Sequence, residues 1–202
     1  MKKIFLFLMC LVMGATTVQS QSLHFARIDV NHSTIGFSVP ILMGLSKVTG
    51  KFTDFSIDIF YDVKNISQSS VNVKILTKSI DTGVDKRDEH MRGVDFFDVN
   101  KYPEATFVSK RIEKHGEVLR AVGDFTLKDI TEEVVIEFCI NGLNKRESSK
   151  TSGVMRATLG LSASFTLDRQ DYGFNWQHSS VPAFVGNSIT VEIELKTRSI
   201  KL

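Results

Sequence analysis

Ala157-Thr158-Leu159-Gly160-Leu161-Ser162-Ala163-Ser164-Phe165-Thr166-Leu167 is the stretch that decides the fold class. Every odd-numbered residue in it is apolar, and every even-numbered one is glycine or carries a hydroxyl. Successive side chains of an extended chain point to opposite faces, so this alternation describes a ribbon with one dry and one wet side. A helix would instead need its apolar residues three and four apart.

The same period spreads outward on both sides. Val134, Ile136, Phe138 and Ile140 stand against Glu133 and Glu137. Leu119, Ala121, Gly123, Phe125 and Leu127 stand against Arg120, Asp124, Thr126 and Lys128. Ile189, Val191, Ile193 and Leu195 alternate with Thr190, Glu192 and Glu194, while Phe55, Ile57, Ile59 and Val71, Val73, Ile75 repeat the pattern earlier. Leu23–Val30, Thr34–Val39 and Ala105–Ile112 complete a set of eight or nine strands, joined by polar connections such as Asn141–Gly153. Helix-length amphipathic segments do not separate them, which disfavours a parallel α/β fold. Long one-faced strands in series suit a closed antiparallel barrel or a sandwich.

One segment departs from the rhythm. Asp85–Gly93 reads as a short helix, with Asp85 as its cap and Gly93 as its end. Phe96 and Phe97 follow at once, so the unit suits a plug over an apolar opening, or equally a helix that seals the core.

Of the 202 residues, 42% are hydrophobic and 24% charged, with a formal net charge of +2. Such a balance gives no reason to expect nucleic-acid binding. Met1-Lys2-Lys3, the apolar run Ile4–Met13 and the small residues after it have the layout of a secretory signal peptide. Cleavage after Ser20 is expected, giving a mature chain of residues 21–202 in the periplasm or outside the cell. Losing Lys2 and Lys3 from the 25 basic residues brings them level with the 23 acidic ones. Of the two cysteines Cys10 leaves with the leader, and Cys139 is then alone.

Signs of chemistry are sparse. His24, His32, His90, His115 and His178 are far apart in the chain, so no local metal pair is written. No nucleophile elbow, phosphate loop or dinucleotide fingerprint is present. No metal, cofactor or catalytic group is therefore expected. The cluster Arg87, Asp88, His90 and Arg92 is the densest polar group. It reads either as head-group contacts at the mouth of a cavity or as pairs on an exposed helix. Phe37, Phe52, Phe55, Phe107, Phe125, Phe138 and Phe165 sit on strands. A barrel of about eight strands is filled by side chains or holds one small ligand, and periodicity leaves both open.

Several motifs, taken in order, resemble the YceI-like family. They are Asp29–Ser33, Gly36–Val39, Gly50–Phe52, Ser79–Thr82, Arg87–Met91, Phe96–Asp98, Tyr102–Phe107 and Gly123–Leu127, then Arg169 with Asp171-Tyr172-Gly173. The likeness runs over roughly residues 23–197. It implies a single all-β domain, an eight-stranded antiparallel lipocalin-like β-barrel with a short helix near residues 85–93. It also implies an elongated apolar cavity for a polyisoprenoid or similar long-chain amphiphile, in a periplasmic or secreted protein with no catalytic activity common to the family. One departure is local: where the family often has a histidine after the first conserved Phe strand, this chain reads Pro40-Ile41-Leu42-Met43-Gly44.

On that basis the expected cavity lining is Phe37, Val39, Leu42, Phe52, Phe55, Ile57, Val73, Ile75, Phe96, Phe97, Phe107, Phe125, Phe138, Leu161, Phe165 and Ile193, with Arg87 and His90 as head-group contacts. The expected partner is a long apolar ligand, without nucleic acid or stable membrane insertion; a homodimer is left open. Two competing readings stay beside this one. In the first, Arg87, Asp88 and His90 act as an enzyme on a bound lipid's head group. In the second, the alternation belongs to an outer-membrane barrel with its apolar side toward lipid. The polar Asn141–Gly153 connection and the inserted helix favour an inside-apolar barrel.

Overall fold

The computed structural model describes residues 22–202 apart from 117 and 182. The expected leader and its cleavage site lie outside the described residues. The strands are β1 (Ser22–Phe25), β2 (Thr34–Ile41), β3 (Ser46–Phe52), β4 (Phe55–Asp62), β5 (Ser70–Leu76), β6 (Ile80–Asp81), β7 (Glu104–His115), β8 (Val118–Leu127), β9 (Ile130–Glu147), β10 (Met155–Asp168), β11 (Ser188–Lys196) and β12 (Ile200–Lys201). Among the described residues there is one α-helix, α1 (Asp85–Arg92), between β6 and β7.

All twelve strands belong to one sheet, ordered β1-β4-β5-β7-β8-β9-β10-β11-β2-β3-β6, with β12 on β10. The pairings are antiparallel throughout. The sheet curls into a lipocalin-like half-barrel. The expected antiparallel barrel class holds, but where alternation gives eight or nine strands and the resemblance eight, the described residues form twelve. Nine strands are long, and β1, β6 and β12 are two to four residues each. The expected Leu23–Val30 strand is shortened to β1, while β3, β6 and β12 are additions: β6 and β12 have two residues each, and in β3 Gly50 interrupts the apolar side between Val48 and Phe52.

The seam explains why the ladder stays open. β3 and β4 follow each other around the corner at Thr53 and Asp54, yet they stand apart in the strand order. Residues of β6 pair with the end of β3, Ile80 with Phe52 and Asp81 with Lys51. The Thr53 N–H donates to the Ser79 carbonyl at 3.1 Å, and the Leu76 N–H to the Asp54 carbonyl at 3.0 Å. Hydrogen bonds at a corner thus do what a further ladder would do.

The dry faces meet inside the curl. Ala157 and Leu159 of β10, Ala121, Phe125 and Leu127 of β8, Ile57 and Ile59 of β4 and Ile136 of β9 are buried in one core. A polar connection was expected from Asn141 to Gly153; instead β9 runs on to Glu147 and the turn is confined to residues 148–154. The register shifts where Gly160 faces Gly142 and Leu161 faces Ile140, leaving Asn141 as an extra residue. Such a bulge lets a long strand bend without ending. Beyond it residues 144–147 of β9 are polar and exposed, so no apolar alternation announces that end of the strand.

Helix α1 has the expected length, but its cap differs. Val84 occupies the N-cap position without a side-chain bond, and Asp85 lies inside the first turn. Gly93 does close the helix, its N–H donating to the His90 carbonyl at 3.0 Å.

Candidate functional site

The inward faces enclose a chamber of about 260 Å³. Its walls come from β2, β3, β5 and β7 to β11, and one end is covered by α1, the Phe96-Phe97 pair and the segment around residues 169–185. Almost no polar atom faces this space. A smaller chamber of about 100 Å³ adjoins it, between β4, β5 and the β9–β10–β11 wall.

Of the expected lining residues, Phe37, Val39, Phe52, Ile75, Phe96, Phe97, Phe125 and Phe165 border the larger chamber alone. Val73, Phe107 and Ile193 border both, and Ile57, Phe138 and Leu161 border the smaller. Leu42 and Phe55 border neither. Ile35, Phe37, Val39 and Ile41 of β2 line the chamber, so alternation itself puts the even-numbered Leu42 off the inward face, and Ile41 stands in its place; Leu42 begins a tight turn with φ +51°. Phe55 shares the parity of Ile57 and Ile59, but at the β3–β4 corner it packs against the core.

The helix end of the large chamber is held by polar contacts that point away from its interior. Asp88 is buried and accepts from the Thr82 N–H at 2.9 Å and the Thr82 hydroxyl at 2.5 Å. Arg87 borders the chamber, but its Nε–H donates to Thr82 Oγ1 at 2.8 Å and an Nη–H to the Thr82 carbonyl at 2.9 Å. Arg92 donates to the carbonyls of Lys78 and Ile80. The cluster that stands out in the sequence therefore fastens α1 to the β6 region. His90 is half-exposed at the rim, 3.0 Å from Asp95 Oδ2, with its ring edge-on to Phe96 and Trp176.

A second covering element was not anticipated. Arg169, Phe174, Trp176, Phe184 and Val185 all border the large chamber. Arg169 is buried, and donates to the backbone carbonyls of Phe174, Gly186 (3.1 Å) and Val185 (3.4 Å). It thereby staples both ends of the 174–186 segment together, and burial lowers its pKa from the ordinary value. Tyr172 is buried against Phe125 at a ring distance of 5.3 Å, and burial pushes its hydroxyl up to about 12. Tyr172, Phe174 and Trp176 do alternate in the sequence, a short signal next to a turn.

The curled antiparallel sheet has counterparts among known proteins. The profile described as a YceI-like domain matches residues 27–197. The chain belongs to the YceI-like family. A UPF0312 protein of Shewanella sp. strain ANA-3 is 37% identical over 162 residues, covering 80% of this chain and 81% of its own. Among solved structures, Burkholderia cenocepacia BcnA superposes with a TM-score of 0.70 at 20% identity, over 85% of this chain and 99% of its own. A polyisoprenoid binding domain from Saccharophagus degradans, implicated in plant cell wall breakdown, gives a TM-score of 0.59 at 15% identity, over 87% and 99%. These two likenesses describe the YceI-like fold.

Proposed function

We propose that this chain is a non-catalytic extracytoplasmic binding protein. It holds the tail of a polyisoprenoid or similar long-chain amphiphile in the barrel, as a carrier, store or scavenger. The observation that carries this reading is the chamber of about 260 Å³ whose walls expose almost no polar atom. The fold it shares with a domain described as polyisoprenoid binding supports the same ligand class. The leader-like residues 1–20 support a periplasmic or secreted location.

The energetics suit a tail more than a head. Burying about 10 to 20 methylene groups at ~0.8 kcal/mol each gives roughly 8 to 16 kcal/mol gross. Association and ordering offset about 4 to 15 kcal/mol of that. With no directional partner inside, selection acts on length and width, and the head group stays at the rim near His90 and Trp176.

The test is mass spectrometry of protein extracted without detergent, joined to a titration with a long-chain prenol. Co-purifying lipid and saturable binding are expected. A lipid-free protein that also ignores the prenol would remove the basis for this reading.

A further inference from the structure

The two chambers adjoin and share part of their lining. Ile35, Val73, Phe107, Ile136 and Ile193 border both. They come from five strands, β2, β5, β7, β9 and β11. Register sets Val73 beside Phe107 and Ile193 beside Ile35. Together they form a transverse collar between a space of about 260 Å³ and one of about 100 Å³.

Phe107 is the largest member of the collar, and it is 4% exposed. Its ring tip lies over bare backbone at Gly123 of β8. A Cβ there would stand 2.9 Å from the Phe107 ring and 2.3 Å from the Val108 carbonyl oxygen. Only glycine leaves that space, so the ring is seated against β8 and not free to swing through it. The covering residues Arg87, His90 and Met91 border the large chamber alone. A ligand arriving past α1 therefore meets the collar only after filling the large chamber. Beyond it, Ile57, Ile59, Phe138, Leu159 and Leu161 offer apolar walls fit for the end of a chain.

We infer that this collar, with Phe107 as its main constriction, sets the tail lengths the protein accepts. The inference rests on the tail-binding reading above. Short tails occupy the large chamber alone; longer ones thread the collar and place their ends in the small one. Phe107 is thus a specificity-determining residue that acts on length.

Linear all-trans prenols of graded length, from geraniol to solanesol, are titrated against the wild type, Phe107→Ala, Phe107→Leu and Val73→Phe. Widening by Phe107→Ala raises affinity for the longest prenols by about tenfold relative to the shortest, the equivalent of a couple of methylene groups newly accommodated. Phe107→Leu, which keeps the core filled, moves the profile the same way by less. Narrowing by Val73→Phe moves it the opposite way. If all variants shift every length by one common factor, the collar does not select length and the inference is overturned, while tail binding stands. If the wild type binds no prenol of any length, the tail-binding reading falls and this inference with it.

Discussion

Asp88 Oδ1 receives two hydrogen bonds from Thr82, one from the backbone at 2.9 Å and one from the hydroxyl at 2.5 Å. This pairing fixes the start of α1 to the chain leaving β6, in place of a side-chain cap. Removing the carboxylate leaves two donors of Thr82 without their acceptor. Asp88→Ala is expected to cost about 1 to 3 kcal/mol in urea unfolding. Asp88→Asn, which keeps one acceptor oxygen, should cost less. Faster amide exchange across residues 82–95 in Asp88→Ala is the local signature. Unchanged stability and exchange would show that α1 is held by other contacts.

Arg169 poses a larger stake because it is buried with backbone carbonyls as its partners. Arg169→Met removes the donors from Phe174, Val185 and Gly186 at once. A loss of a few kcal/mol is expected in denaturant unfolding, since a buried carbonyl left without its donor costs about 1 to 3 kcal/mol. Arg169→Lys should not restore it, since an ammonium cannot reach three carbonyls in a planar fork. Full rescue by lysine would argue that charge, and not the fork, holds the segment.

Asp29 ties the N-terminal segment to the last long strand. Its pKa falls from 3.8 to about 2, chiefly through the hydrogen bond from Lys196 and then that from His32. The folded value is depressed, so this carboxylate contributes stability above its ordinary pKa, and the contribution disappears as pH falls from 3.8 toward about 2. Lys196→Met should move the Asp29 carboxyl resonance titration back upward and shrink the acid-end loss of stability. An Asp29 titration indifferent to that substitution contradicts the pairing.

Trp176, the only tryptophan in the chain, stands at the rim beside His90 (5.5 Å) and Phe96 (5.4 Å) and borders the large chamber. A tail drawn past it replaces water at the indole, so prenol addition should shift its emission to the blue. Trp176→Phe should abolish the optical change while calorimetric affinity stays within about threefold, because most buried tail area lies deeper. Absence of any emission change at saturation would place the binding elsewhere.

How much of this was legible depended on whether a residue's period survived its surroundings. Leu159, Phe165 and Ile193 sit on strands with one dry face, so their inward direction followed from alternation alone. Leu42 has the opposite parity to Phe37 and Val39, so the same alternation points to Ile41, which does line the chamber. Residues 144–147 read as loop because they are all polar and exposed, and after Leu143 that end of β9 has no apolar rhythm. Trp176, Phe184 and Val185 lie in irregular chain whose course is set by Arg169, and a buried arginine bonded to carbonyls has no sequence period. The Arg87–Arg92 cluster was visible as composition, but its partners Thr82, Lys78 and Ile80 only became visible in three dimensions.

The most direct measurement is a crystal structure of the protein grown with a long-chain prenol. Continuous density running from the rim by Trp176 between Phe97 and Phe165 toward Phe107 is the predicted result. Density confined to the outer surface, with the inner side chains closed together over the chamber, would contradict it.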